Sequence, residues 1–208
     1  MIEEGRQRAA EPDRPEVGER EALVLEELGH DDRSQVAFQG LRRKLDLHQE
    51  KLSRTLRRLE RDGLVQKNDG GYAITDQGIS ALRGRSGGVA STRQVRIIEA
   101  LLPPHLDPQE VASHLSRRWF RGLRWYGRSD SGGEIALTWL AEPGNEAVRL
   151  RIGAGSITLE TDGAAPKGPA SFAATRSILA ALAEVYGLAP ALGGEMVNFA
   201  SEGGRVAS

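Results

Sequence analysis

The sequence predicts an α+β protein built from two unlike parts, and three observations predict it. As far as Arg83, apolar residues recur mostly at helical spacing, interrupted by one short hairpin pattern. From Gln94 onward they recur in short alternating runs separated by Gly, Pro, Asn, Asp and Ser. Between the two lies Arg83-Gly84-Arg85-Ser86-Gly87-Gly88, a stretch without apolar residues that reads as a flexible linker. A chain of 208 residues is long enough to bury two small cores.

The amino-terminal part opens with Ala22, Leu25 and Leu28 on one helical face. A second helix is expected to bury Ala37, Leu41 and Leu45, and the short turn Asp46-Leu47-His48 leads into a third. In that third helix Leu52, Leu56 and Leu59 recur at i, i+4, i+7, while Ser53, Arg54, Arg57, Arg58 and Arg61 occupy other faces. Two helices joined this way have the layout of a helix-turn-helix, whose second helix enters the major groove of DNA. Leu64-Val65, Lys67-Asn68-Asp69-Gly70-Gly71 and Tyr72-Ala73-Ile74 follow as strand, turn and strand, with Asp-Gly-Gly expected to supply positive φ angles. A helix-turn-helix followed by a hairpin is a winged helix.

The carboxy-terminal part, residues 93–188, reads as β-α-β-β-β-β-α. Gln94 to Leu102 is a strand closed by Pro103-Pro104; Asp107 caps a helix with Pro108 in its first turn, expected to run to about Phe120. Extended segments follow at Leu123–Arg128, Glu134–Ala141, Ala147–Ile152 and Ser156–Thr161, then a closing helix from Ser171 to Tyr186 carrying Phe172, Ile178, Leu179, Leu182 and Val185. Val148, Leu150 and Ile152 alternate with Arg149 and Arg151, so one face of the antiparallel sheet is expected to be buried under helices and the other wet. The whole is a winged helix-turn-helix followed by a β-α-β-β-β-β-α domain with an antiparallel sheet. Residues 1–20 and 189–208, poor in apolar pattern, are expected to be flexible tails.

The run from Leu47 through Leu59-Glu60-Arg61-Asp62-Gly63-Leu64-Val65, continued by Ile74-Thr75-Asp76-Gln77-Gly78, resembles the winged-helix transcription regulators of the MarR type and their archaeal relatives. The resemblance covers residues 21–83 and implies double-stranded DNA as partner and transcription regulation as function. The element order of residues 93–188 is similar to one half of the TATA-binding protein fold and to helix-grip ligand-binding folds. These imply, respectively, a further macromolecular surface or a pocket for a small-molecule effector.

Charge supports the same expectation. Between Arg33 and Lys67 there are ten basic residues (Arg33, Arg42, Arg43, Lys44, Lys51, Arg54, Arg57, Arg58, Arg61, Lys67) but four acidic ones (Asp46, Glu50, Glu60, Asp62), in a chain whose net charge is −1. A local cationic excess of this kind is the footprint of a phosphate-binding surface. His48, Gln49, Ser53, Arg54 and Arg57 are the expected base readers, since Arg pairs with guanine and Gln with adenine. Arg42, Arg43, Arg58 and Lys67 are the expected backbone contacts. Winged helices also serve as protein-interaction modules, so an adaptor within transcription machinery is the alternative.

A further cluster, Arg117 to Arg128, interleaves five arginines with Trp119, Phe120, Trp125 and Tyr126. Single-stranded nucleic acid could stack there. The favoured reading puts the aromatics in the sheet–helix core, with arginines flanking them or stacked on their faces. Enzymatic chemistry finds no pattern. His30, His48, His105 and His114 have no metal-ligand spacing, and Gly153-Ala154-Gly155 joins two strands rather than leading into a helix. No cofactor is implied. There is no cysteine, no apolar run long enough to span a membrane and no secretory leader pattern, so a cytoplasmic protein acting as a homodimer is expected.

Overall fold

The computed structural model describes residues 17–30, 34–83, 94–142, 146–162 and 169–186. The expected tails and linker fall outside these, apart from their inner ends: Val17 is buried and Arg83 closes a helix. Helix α1 (Glu19–Leu28) begins inside the segment expected to be a tail. Its start is fixed by the Glu21 carboxylate, which accepts the Gly18 N–H at 2.8 Å and so satisfies one orphan donor of the first turn.

Strand β1 (Gln35–Val36), which the sequence pattern does not reveal, precedes α2 (Phe38–Lys44). Leu41 is buried as expected; Ala37 and Leu45 are the caps of α2 and only half-buried. Helix α3 (Gln49–Arg61) buries Leu52, Leu56 and Leu59, each stabilising the core by about 1.5–3 kcal/mol relative to exposure. The wing is β2 (Val65–Asn68) paired with β3 (Gly71–Ile74), and α4 (Asp76–Arg83) closes the segment. In the turn Asp69-Gly70-Gly71, Gly71 alone takes positive φ, at 140°, so the left-handed demand falls on one residue rather than three.

The carboxy-terminal order is as expected: β4 (Gln94–Leu101), α5 (Pro108–Leu115), β5 (Leu123–Ser131), β6 (Glu134–Ala141), β7 (Ala147–Ile152), β8 (Ser156–Asp162) and α6 (Pro169–Tyr186). Asp107 caps α5, accepting the Gln109 N–H at 2.9 Å. The helix stops at Leu115, five residues before the expected Phe120, because Ser116 leaves helical geometry and Arg117 turns to φ 62°. Val111, Ala112 and Leu115 of α5 and Ile178, Leu179 and Leu182 of α6 cover one face of the sheet. The side chains of Phe172 and Val185 lie outside the described residues.

One expectation about this sheet is corrected. The second face is not simply wet: Thr138 and Arg149 on it are buried, and they border a cavity shared with Glu27, Ser34 and Lys44 of the amino-terminal segment. The reason is that the two parts share one sheet of eight strands, ordered β2-β3-β1-β5-β6-β7-β8-β4. Val36 of β1 pairs with Tyr72 of β3 on one side and Gly127 of β5 on the other. The Ala37 N–H continues the ladder, donating to the Tyr126 carbonyl at 2.7 Å. Residue 127 must be glycine for this approach, because a Cβ there would collide with the Gln35 carbonyl.

The aromatic cluster divides accordingly. Trp125 and Trp139 pack edge to face at 5.5 Å in the helix-covered core, with Phe120 partly buried against Trp139. Tyr126, left without a cross-strand partner by a β-bulge between Trp125 and Gly127, packs against the core of the amino-terminal segment on the opposite face. Trp119 is not in any core. It is 60% exposed, because the chain has already left α5 when it reaches this residue.

Candidate nucleic-acid interface

The turn between α2 and α3 is built by short-range backbone bonds. Leu47 N–H donates to the Arg42 carbonyl at 3.1 Å, and Asp46 takes φ 48°, a left-handed conformation that Asp tolerates better than most residues. His48 then caps α3 through its backbone alone; its exposed side chain makes no capping bond.

With Leu52, Leu56 and Leu59 turned inward, helical geometry puts Glu50, Arg54, Arg57 and Arg61 in the stripe directly opposite. All four are exposed. Gln49 and Ser53 lie on one flank of this stripe, Lys51 and Arg58 on the other. Gln49 is exposed and Ser53 half-buried. Arg54 has a side chain 80% exposed and pairs with Glu50 at 3.5 Å, an exposed i, i+4 pair of little energetic weight and easily exchanged. Arg57 makes no ion pair or hydrogen bond among the described residues and stands free on the surface.

The expected backbone contacts are distributed differently. Arg42, Arg43, His48 and Gln49 border one open groove of about 610 Å³ at the helix-turn-helix corner. Lys67, exposed on β2, borders a second groove together with Arg43. Arg58 is exposed but already paired, its guanidinium 3.2 Å from Glu21 and 3.7 Å from Asp62. It ties α3 to α1, and a phosphate would compete with those carboxylates for it. Sequence reasoning missed Arg117, whose guanidinium donates to the Asp69 carbonyl at the tip of the wing. The only signal for it was the basic, aromatic run beginning there; its approach to the wing depends on the shared sheet.

Residues 17–78 match the family model of a winged helix DNA-binding domain. The match begins at Val17, the first described residue, and ends at the third residue of α4, beyond the wing. No curated protein and no solved structure matches the chain. The amino-terminal segment is therefore a winged helix DNA-binding domain. No helix among the described residues is long and apolar enough to cross a membrane.

Proposed function

We propose that this protein is a sequence-specific transcription regulator that binds duplex DNA as a homodimer in the cytoplasm. The observation that carries the reading is the outer surface of α3, where Arg54 and Arg57 stand exposed opposite the buried leucines and Gln49 is exposed on the flank. Arg and Gln offer the bidentate donor patterns that distinguish base edges in the major groove. His48, Gln49, Ser53, Arg54 and Arg57 read bases in this proposal, and Arg42, Arg43 and Lys67 hold the backbone, with Arg58 joining them by giving up Glu21 and Asp62. The reading gives the chain no catalytic role.

The carboxy-terminal region serves dimerisation or effector sensing. A cavity of about 220 Å³ supports the second role, because Glu27, Lys44, Tyr126 and Arg149 line it from both halves of the molecule. A small polar effector bound there would touch the winged helix and the sheet together, the condition for coupling one site to the other.

Enrichment of bound duplexes from a random library, followed by anisotropy titration across salt concentrations, tests the function. A shared sequence element and a steep negative log–log salt slope are expected. An adaptor that docks on protein would show neither. Sedimentation of the full chain with and without the enriched duplex tests the dimer.

A further inference from the structure

Three tryptophans occur in the chain, and the structure treats them unequally. Trp125 and Trp139 are buried in the core, whereas Trp119 is 60% exposed. An indole left in water on the surface of an otherwise well-packed region is held there by its neighbours. The Arg124 guanidinium lies 4.7 Å from the ring centroid and that of Arg43 5.9 Å. Both arginines also approach one carboxylate, Glu142, Arg124 at 3.0 Å and Arg43 at 4.0 Å.

The surroundings bring further basic side chains. Trp119 borders a groove of about 520 Å³ whose other walls include Arg43, Lys67, Tyr72 and Arg117. Arg117 reaches the wing through the Asp69 carbonyl, a neutral acceptor, and makes no ion pair among the described residues. Its backbone, at φ 62°, is in a conformation disfavoured for any residue with a Cβ, and that conformation is part of how the chain leaves α5 toward the wing. Arg121 is exposed in the same loop and has no partner among the described residues. Arg43 borders both this groove, where Arg43, Lys67 and Arg117 outnumber Asp69, and the one at the helix-turn-helix corner, where Arg42 and Arg43 stand beside Asp46 and Glu50, so it links the start of α3, past the wing, to the carboxy-terminal region. Because β1 joins β3 to β5, the position of this loop against the wing is set by backbone pairing.

We propose that the DNA-binding surface extends beyond the winged helix onto the carboxy-terminal region, where Arg117, Trp119 and Arg121 grip the sugar–phosphate backbone of duplex DNA flanking the segment read by α3. Arg117 and Arg121 meet phosphates, and the indole packs on a deoxyribose between them. Charge complementarity and continuity with the α3 surface select a polyanion as the occupant. The inference rests on the reading of α3 as a duplex-DNA binder.

The full chain and its enriched duplex provide the test, with the duplex made in two lengths, one trimmed to the winged-helix segment and one extended past it. Replacing both Arg117 and Arg121 by Ala should lower the magnitude of the log–log salt slope on the long duplex by about 1.8, at roughly 0.9 per phosphate contact, and leave the short one unchanged. Arg121→Glu, at an exposed position, should weaken binding of the long duplex without depending on the bond to the wing. Acrylamide quenching of intrinsic fluorescence, dominated by Trp119, should be suppressed by the long duplex only, and Trp119→Phe should remove that component. Unchanged slopes and unprotected Trp119, in a protein whose binding still falls on Arg57→Ala, would overturn the extension and leave the α3 reading standing. No salt-dependent duplex binding by the wild type would overturn both. Protection of Trp119 by single strands but not by duplex would make the loop a base-stacking site and overturn the duplex assignment.

Discussion

The Tyr126 hydroxyl donates a 2.5 Å hydrogen bond to the Glu27 carboxylate, linking residues 99 positions apart in the chain. Glu27 belongs to α1 and Tyr126 to the bulge of β5, so this bond clamps the first helix of the winged helix to the second face of the sheet. It adds a side-chain tie to the backbone ladder through β1, and together they make the two halves one packed body.

Tyr126→Phe keeps the ring and removes the donor, leaving a part-buried carboxylate short of a partner. A loss of about 1–2 kcal/mol is expected, at the lower end for a bond to a charged group because the site is only partly buried. Urea unfolding should show a lower midpoint with an unchanged slope. An unaltered midpoint would show that Glu27 is equally well solvated without the phenol.

Gly40 sits inside α2 with the Tyr126 backbone against it; an added Cβ would lie 2.9 Å from the Tyr126 carbonyl oxygen and 2.9 Å from its Cδ2. Alanine is favoured over glycine in a helix by about 1 kcal/mol. Overpacking at a rigid contact costs about 1–3 kcal/mol and should win. Gly40→Ala is therefore expected to destabilise the protein by chemical denaturation; a stabilised variant would mean that α2 can lift off the sheet freely.

On the enriched duplex, Arg57→Ala or Gln49→Ala should each cost about 1–3 kcal/mol and relax preference at one base position. Lys67→Ala should weaken all sequences alike, reducing the salt slope by about 0.9. Competition titrations against single-base variants separate the two behaviours. A change in preferred sequence on losing Lys67 would make the wing a reader.

Arg117→Gly and Arg117→Ala both remove the guanidinium, but only glycine is at ease at φ 62°. The glycine variant should be the more stable of the pair by about 1 kcal/mol, and their difference isolates the backbone strain. Equal midpoints would mean the loop relaxes to another conformation when the side chain is lost.

Much of this fold could be read from periodicity. Leu52, Leu56 and Leu59 announced α3, and β6 and β7 fall on the bounds that alternation gave them. The charged faces of α3 were equally plain. Long-range pairing was not. A strand of two residues, Gln35–Val36, has too few side chains to show a period, yet it decides which surface the winged helix covers. That is why Arg149 looked solvent-facing from its alternation with Val148 and Leu150, though the structure buries it. Trp119 was assigned to the core for a related reason: nothing local marks Ser116 as the end of a helix, and three residues later the direction of an aromatic side chain depends on that stop.

The joint at β1 consists of peptide groups, which every sequence possesses. The half-buried Gln35 side chain can therefore drift without loosening it, whereas Val36 is held in the amino-terminal core and bulk cannot be added to the strands on either side: a Cβ at Gly71 would run into the Val36 carbonyl and one at Gly127 into that of Gln35. A twist imposed on β5 would reach β3 through the main chain, as torque passes along a shaft. Grafting the winged helix onto another protein at the connection after Arg83 would sever that shaft, since the mechanical seam of the molecule does not coincide with its seam in sequence.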